Sequence, residues 1–341
     1  MWRCLFINIR ELVNNKAEEI YPNNDYVKER IRKELDYFEN HERFGEIQAL
    51  LSIKEMIKDE NIYVFPTAML SLYLLDLDFI NPIPAHYYNP HIKEITFDDA
   101  ASYGVDLPKK DGLNRGGFNI SEDYTLNSNK DIHFEVYLKM KYLDKVKTLL
   151  EGSFDLTFEL EESDKNGHKE KVFYKETTII FNDDLFDTFF GKNLQSDINV
   201  DNFRKYLFDD AMKNLLEIEV QPKEVVSFKE MVEFLALSRV ALIDKSDMLT
   251  TFIDSKYPKK FIDSKYPKTR EDIFMLLRDE GYGLGEAAKL AYAITMGKKS
   301  EFEIKDQEIK AYLDAVVYAW PKAAVVSVFL RDYFSRDLYH C

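Results

Sequence analysis

Thirteen residues, Phe79 to His91, constrain this chain more than any others: Phe-Ile-Asn-Pro-Ile-Pro-Ala-His-Tyr-Tyr-Asn-Pro-His. Proline fixes φ and has no amide hydrogen. Three prolines with two asparagines therefore exclude a helix and fit poorly in a central strand. The segment reads as a stiff, extended connector that carries two tyrosines and two histidines.

At 341 residues, 45% of them hydrophobic and 14% aromatic, the chain can bury a large core, and two or three subdomains are expected. The formal charge of −15 argues against a protein that grips nucleic-acid phosphate along a long channel. Cys4 and Cys341 stand at opposite ends and form no C-x-x-C pair, which fits a reducing cytoplasm better than a disulfide framework. No apolar run approaches the ~18 residues of a membrane span, and Met1–Ile7 is too short for the apolar part of a signal peptide. A cytoplasmic protein without membrane contact is expected.

Helical periodicity predicts three helices before the connector: Leu5–Ile20, with Ile9, Leu12 and Val13 on one face; Tyr26–Glu39, capped by Asn23-Asn24-Asp25, with Val27, Ile31, Leu35 and Phe38; and Glu46–Lys58, with Ile47, Leu50, Leu51, Ile53 and Ile57. Residues 112–130, rich in Gly, Asn and Ser, read as a long irregular loop. Phe154, Leu156, Phe158 and Leu160 alternate with polar residues. A turn at Ser163–Gly167 and a return along Lys171–Phe181 complete an expected β-hairpin. Asp183, Asp184 and Asp187 read as the first turn of a helix.

The connector resembles the N-P-L-P-P-H-Y-x-C-P-x-C passage in the palm of PolC-type alpha subunits of DNA polymerase III. Other segments match in the same order. Arg10-Glu11-Leu12 and Val27–Leu35 are similar to the opening of that palm, and Asp131–Leu138 resembles D-I-P-F-E-T-F-L. Ser227–Ser238 resembles T-F-S-E-L-V-Q-I-S-G-L-S at the start of the fingers. Thr269–Lys299 is similar to the following fingers helices, and Trp320–Ala324 to F-P-K-A-H. The resemblance implies an α+β fold: a palm-like mixed part with a β-hairpin, then a mostly helical fingers-like part. Three parts are expected, 1–80, 81–220 and 221–341, without the family's exonuclease, clamp-binding or OB parts.

The departures fall on the chemistry. Where the family has a Gly-Ser-Arg loop against nucleotide phosphates, this chain has Phe65-Pro66-Thr67-Ala68-Met69, with no glycine for close approach and no cation. The positions of the family's four zinc thiolates hold Asn89, Ile92, Gly112 and Arg115. No zinc is expected, and His86 and His91 alone are a weak ligand set. The palm carboxylate pair is matched by Gly152–Phe158, which keeps one aspartate as Asp155 and has Ser153 for the other; a shifted alignment puts Thr148-Leu149-Leu150 there instead. Asp155 and Glu159 share a face of the expected strand but lie roughly 13 Å apart at ~3.3 Å per residue, too far to clamp one metal pair. Lys322 is retained, whereas the family's histidine two positions on is Ala324.

The resemblance therefore implies a catalytically inactive, truncated relative that acts by binding a protein partner, such as one of the replication machinery. One alternative is a working DNA-directed DNA polymerase using Mg²⁺ with Asp155 as a ligand. Another is a protein-interaction module of a mobile element or phage. One feature is this chain's own: Phe-Ile-Asp-Ser-Lys-Tyr-Pro-Lys occurs at Phe252–Lys259 and again at Phe261–Lys268. Lys256, Lys259, Lys260, Lys265, Lys268 and Arg270, with Tyr257 and Tyr266, form the most basic stretch, able to meet phosphate and stack bases; Lys322 joins them as a candidate contact. Single-stranded DNA binding is expected to be weak and to fall steeply with salt. Removing Phe261–Lys268 and titrating a labelled oligonucleotide at two salt concentrations should lower affinity and flatten the log–log salt slope by about 0.7 for each phosphate no longer neutralised; an unchanged slope would leave the repeat as linker.

Overall fold

The computed structural model describes residues 8–58, 60, 62–65, 68–128, 132–153, 170–183, 227–238, 240–242, 265–298 and 301–336. The first three helices follow their apolar spacing. Helix α1 (Ile9–Ile20) is capped by Asn8, whose side chain accepts the Glu11 amide, and it buries Ile9, Val13 and Ala17. Helix α2 (Asp25–Asn40) is capped by Asn24 through the Val27 amide; Val27, Ile31, Leu35 and Phe38 are at most 1% exposed. Helix α3 (Phe44–Met56) buries Ile47, Leu50 and Ile53, and Leu51 packs at the edge of the same core.

These helices lie with α6 (Leu143–Ser153) against a four-stranded sheet of order β1 (Val64–Phe65), β5 (Phe134–Leu138), β7 (Thr177–Phe181), β6 (Glu170–Tyr174). The β5–β7 pair is parallel and the other two are antiparallel. The expected return strand Lys171–Phe181 is thus two strands. Tyr174 pairs with Thr177 across a two-residue reversal in which Lys175 takes φ 51°, the left-handed backbone a tight hairpin turn needs. The strand expected at Phe154–Leu160 lies outside the described residues, while Gly152 and Ser153 end α6.

The connector departs from its reading in one respect. His86–Asn89 form β2, the central strand of a three-stranded sheet between β3 (Glu94–Phe97) and β4 (Asn114–Gly116). The prolines flank this strand and do not interrupt it. Before it, the carbonyls of Asn81, Pro82 and Ile83 take the amides of Phe118, Ile120 and Asn119 at 2.9–3.0 Å. A proline can serve in such one-sided pairing because only its missing N–H is lost to the ladder. Residues 112–130 accordingly contain β4 and helix α5 (Glu122–Asn127), which Ser121 caps.

The C-terminal elements are α7 (Phe228–Ser238), β8 (Ala241–Leu242), α8 (Arg270–Asp279), α9 (Leu284–Thr295), α10 (Gln307–Ala315), β9 (Val316–Tyr318) and α11 (Lys322–Arg336), with β8 and β9 paired. One core joins Tyr63, Ile80, Tyr103 and Phe118 to Phe228 and Leu235 of α7 and to Val325, Val326 and Phe329 of α11. It draws on all three of the expected parts. The Phe228 ring meets Tyr103 at 5.1 Å and Phe329 at 5.4 Å. A separate core holds Tyr124 with α8, α9 and α10. Among the described residues no helix is long and apolar enough to cross a membrane.

Two buried Arg–Glu pairs lock these layers. Glu34, 0% exposed, accepts the amides of Leu70 (3.0 Å) and Ser71 (2.7 Å) and the Ser71 hydroxyl (2.8 Å) at the start of the short helix α4 (Leu70–Leu74). Arg30 donates to Glu34 at 2.9 Å and to the carbonyls of Ile120 (2.8 Å) and Ala68 (3.3 Å). Similarly, Glu46 pairs with Arg43 and accepts from the Glu176 amide and the Thr177 hydroxyl, fastening α3 to the β6–β7 turn. Removing one member of such a pair leaves a buried charge without its partner. Glu34→Ala is expected to cost about 3–5 kcal/mol in urea unfolding at neutral pH; a loss below about 1 kcal/mol would show that the pair is not what joins α2 to α4.

Candidate functional site

A cavity of about 750 Å³ lies next to the connector. Tyr63, Tyr73, Asp76, Asp78, Phe79 and Asn81 form one wall, and residues 109–118 form the other. The Tyr63 and Phe79 rings meet edge-on at 5.4 Å. Asp78 Oδ1 accepts the Ile80 amide at 2.9 Å, fixing the bend into the connector. Asn81 donates to the Tyr21 hydroxyl at 3.1 Å, but among the described residues its buried Oδ1 has no donor. Opposite, Gly117 takes φ 91°, and a Cβ there would come within 2.2 Å of the Pro84 carbonyl oxygen, so the ribbon can close on the connector only with glycine.

The aromatic wall sits in a negative field. Burial, then Asp76 and Asp78, push the Tyr63 phenol up to about 12. Burial also raises Tyr73, against a hydrogen bond with Tyr21, and the same two aspartates add to the rise. Sequence reasoning missed these residues. Their only signal in the sequence was Asp76 and Asp78 alternating with leucine just before the prolines.

The four positions matched to the family's thiolates gather at one end of the three-stranded sheet. Asn89 ends β2, and Gly112 lies just before β4, whose Asn114 pairs with Tyr88. The donor set does not fit zinc. Asn89 Oδ1 accepts the His91 amide at 3.0 Å, Ile92 is an exposed aliphatic side chain, and Gly112 has no side chain. Arg115 donates to the carbonyls of Val105 (2.9 Å) and Leu107 (2.7 Å). His86 is buried with Nδ1 on the Pro84 carbonyl at 2.8 Å, and burial pushes its imidazole below the ordinary range. His91 is exposed. Among the described residues no three metal-ligating side chains cluster. What fastens the ribbon is Arg115, the Tyr87 hydroxyl on the Pro108 carbonyl (2.8 Å), and Lys110 over the Tyr87 ring (3.7 Å).

At the place of the family's phosphate loop, Ala68 takes φ 49° and gives its carbonyl to Arg30. The amides that follow are held by Glu34. The candidate nucleic-acid contacts divide. Asp155, Lys256, Tyr257, Lys259 and Lys260 lie outside the described residues. Lys265 pairs with Asp306 (2.8 Å) and Glu308 (2.6 Å). Tyr266 is buried against Tyr312 and donates to Glu308 at 2.7 Å. Lys268 is buried, its Nζ 3.4 Å from Glu233. Arg270 donates to the Ala319 carbonyl at 2.7 Å and lies over the rings of Tyr292 and Tyr318. The end of the second repeat copy is thus part of the fold and not a solvated linker, so removing residues 252–259 tests the duplication more cleanly than removing the second copy.

Lys268 and Lys322 both line a small cavity of about 40 Å³ beside Tyr103, with Glu233 and Asp272. Lys322 Nζ reaches the Asn119 carbonyl at 3.3 Å, and its amide donates to Glu271 at 2.6 Å. Burial raises the Glu233 carboxyl and pushes that of Glu271 up to about 7, against the pull of the Lys322 amide.

No protein-family model matches the chain, and no curated protein matches it.

The pH dependence of Glu271 follows. Its folded-state pKa of about 7 lies above the ordinary 4.5, so between those values the folded chain holds more protons than the unfolded one. Stability therefore falls as pH rises through that window. Glu271→Gln should be more stable than the parent above pH 7, by roughly 3 kcal/mol at most, and the gap should close by about pH 4.5. Urea midpoints of both proteins at the two ends of the window measure this; a constant difference would remove Glu271 as the titrating group.

Proposed function

We propose that this chain is a catalytically inactive relative of the PolC-type DNA polymerase III alpha subunit, keeping palm- and fingers-like parts and acting by binding a protein partner in a replication-associated or regulatory role. The observation that carries this reading is the environment of Glu34. The backbone amides after the loop matched to the family's phosphate cradle donate to an anion, and that anion is the chain's own carboxylate, tied to Arg30. A phosphate at these amides would have to displace a buried charge already held by four donors, which is unfavourable against its own hydration. The arginine at one thiolate position supports the same reading, since its guanidinium braces carbonyls of the ribbon.

Primer extension with Mg²⁺ or Mn²⁺ and all four nucleotides should yield nothing above background. Extension that Asp155→Ala abolishes would overturn the reading and establish a working polymerase.

A further inference from the structure

The cavity beside the connector lies within the 300–1,000 Å³ range of small-ligand sites, with aromatic walls and a few convergent polar groups. The donors around it are already engaged. Arg115 holds two carbonyls. Lys110 lies over the Tyr87 ring and 3.9 Å from Asp98, and Lys109 also has a partner within the protein. The acceptors are less committed. Asp111 is exposed and makes no ion pair or hydrogen bond among the described residues. Asp76 is 72% exposed, and Lys54 Nζ lies 3.6 Å from its carboxylate. Aromatic faces beside exposed carboxylates select for positive charge, through cation–π attraction and ion pairing.

We propose that this cavity binds an organic cation, an alkylammonium or guanidinium group seated against Tyr63, Tyr73 and Phe79, with Asp76 and Asp111 as its counter-charges. The net charge of −15 raises the local concentration of such a guest. Burial and two aspartates raise the Tyr63 and Tyr73 phenols. Two sources carry this chemistry, a free polyamine and a lysine or arginine side chain of a partner protein. The proposal stands on the cavity alone and is independent of the polymerase resemblance.

The test is calorimetric titration of the full chain with spermidine, with a short lysine- and arginine-bearing peptide, and with the same peptide acetylated on lysine and carrying citrulline for arginine. Saturable one-to-one binding is expected for at least one cationic probe and not for the neutral peptide. Asp76→Asn and Asp111→Asn should each weaken it about fivefold, the effect of roughly 1 kcal/mol, while Asp314→Asn, at the distant end of α10, should not. Binding of spermidine alone identifies a free polyamine as the guest; binding of the peptide alone identifies a partner's side chain. Both substituted aspartates are exposed, and Asp111 makes no bond whose loss would unfold the chain. Absence of saturable binding, or equal weakening by all three variants, would overturn the proposal and leave diffuse attraction to an acidic surface.

Discussion

The carboxylate of Glu34 is the interaction on which the N-terminal half depends. It sits on α2 with no solvent contact, holds two amides and a hydroxyl of α4, and keeps Arg30 charged beside it. Arg30 in turn reaches Ile120, the last residue paired to the connector. One ion pair therefore sets the spacing of α2, the loop before α4 and the segment that lies along the prolines. A hydrophobic pair would fill the same volume with no cost of burying charge. It would also leave the Leu70 and Ser71 amides and two carbonyls without partners, each a penalty of about 1–3 kcal/mol. The ion pair is tolerated because it satisfies backbone groups that nothing else reaches.

The same device recurs. Asp106 accepts the amides of Phe228 and Lys229 at 2.6 and 3.0 Å, closing the N-terminus of α7 onto the middle of the chain. Glu271 accepts the Lys322 amide and closes α11 onto α8. Helix N-termini concentrate free amides and the positive end of the helix dipole, so they are the natural places for a phosphate. In this chain three of them are filled by carboxylates from elsewhere in the same fold. Part of the acidic excess thus acts inside the protein as fixed hydrogen-bond acceptors. Burial raises Asp106 and Glu271 in spite of the amides they accept.

Much of the fold was legible because its first helices obey apolar periodicity. Every residue placed on the α2 face is buried, and the cap of α2 came within a residue of its place. Residues 112–130 were not legible. The strand β4 is three residues long and exists because β2 supplies its partners, and α5 is a six-residue helix started by one serine. Tertiary pairing, not local propensity, creates both. The two-strand fold of Lys171–Phe181 was hidden for a related reason, since its turn uses a lysine in a conformation usually given to glycine or asparagine. For the candidate cavity the prolines marked the neighbourhood, while the aromatic and acidic side chains that line it form no motif in the sequence. Glu34 and Glu271 are buried, and Asp106 half-buried, because elements distant in the chain arrive beside them.

The ribbon after the connector is fastened at several points: Arg115 on two carbonyls, the Tyr87 hydroxyl on a third, and Lys110 over the Tyr87 ring. This fastening works only with close backbone approach. A Cβ on Gly104 would come within 1.9 Å of the Gly116 carbonyl oxygen, and one on Gly117 within 2.2 Å of that of Pro84. The chain therefore needs glycine at these two positions as firmly as it needs proline in the connector. Residues 81–83 offer their carbonyls, Pro82 having no amide hydrogen of its own, and the glycines let the ribbon come near enough for its amides to donate to them. The cavity is the space left beside this seam, where Asp76 and Asp78 lead into the connector and the aromatic wall begins. Its shape follows from that backbone pairing, so a change at Gly104 or Gly117 would alter the cavity without touching any side chain that lines its aromatic wall.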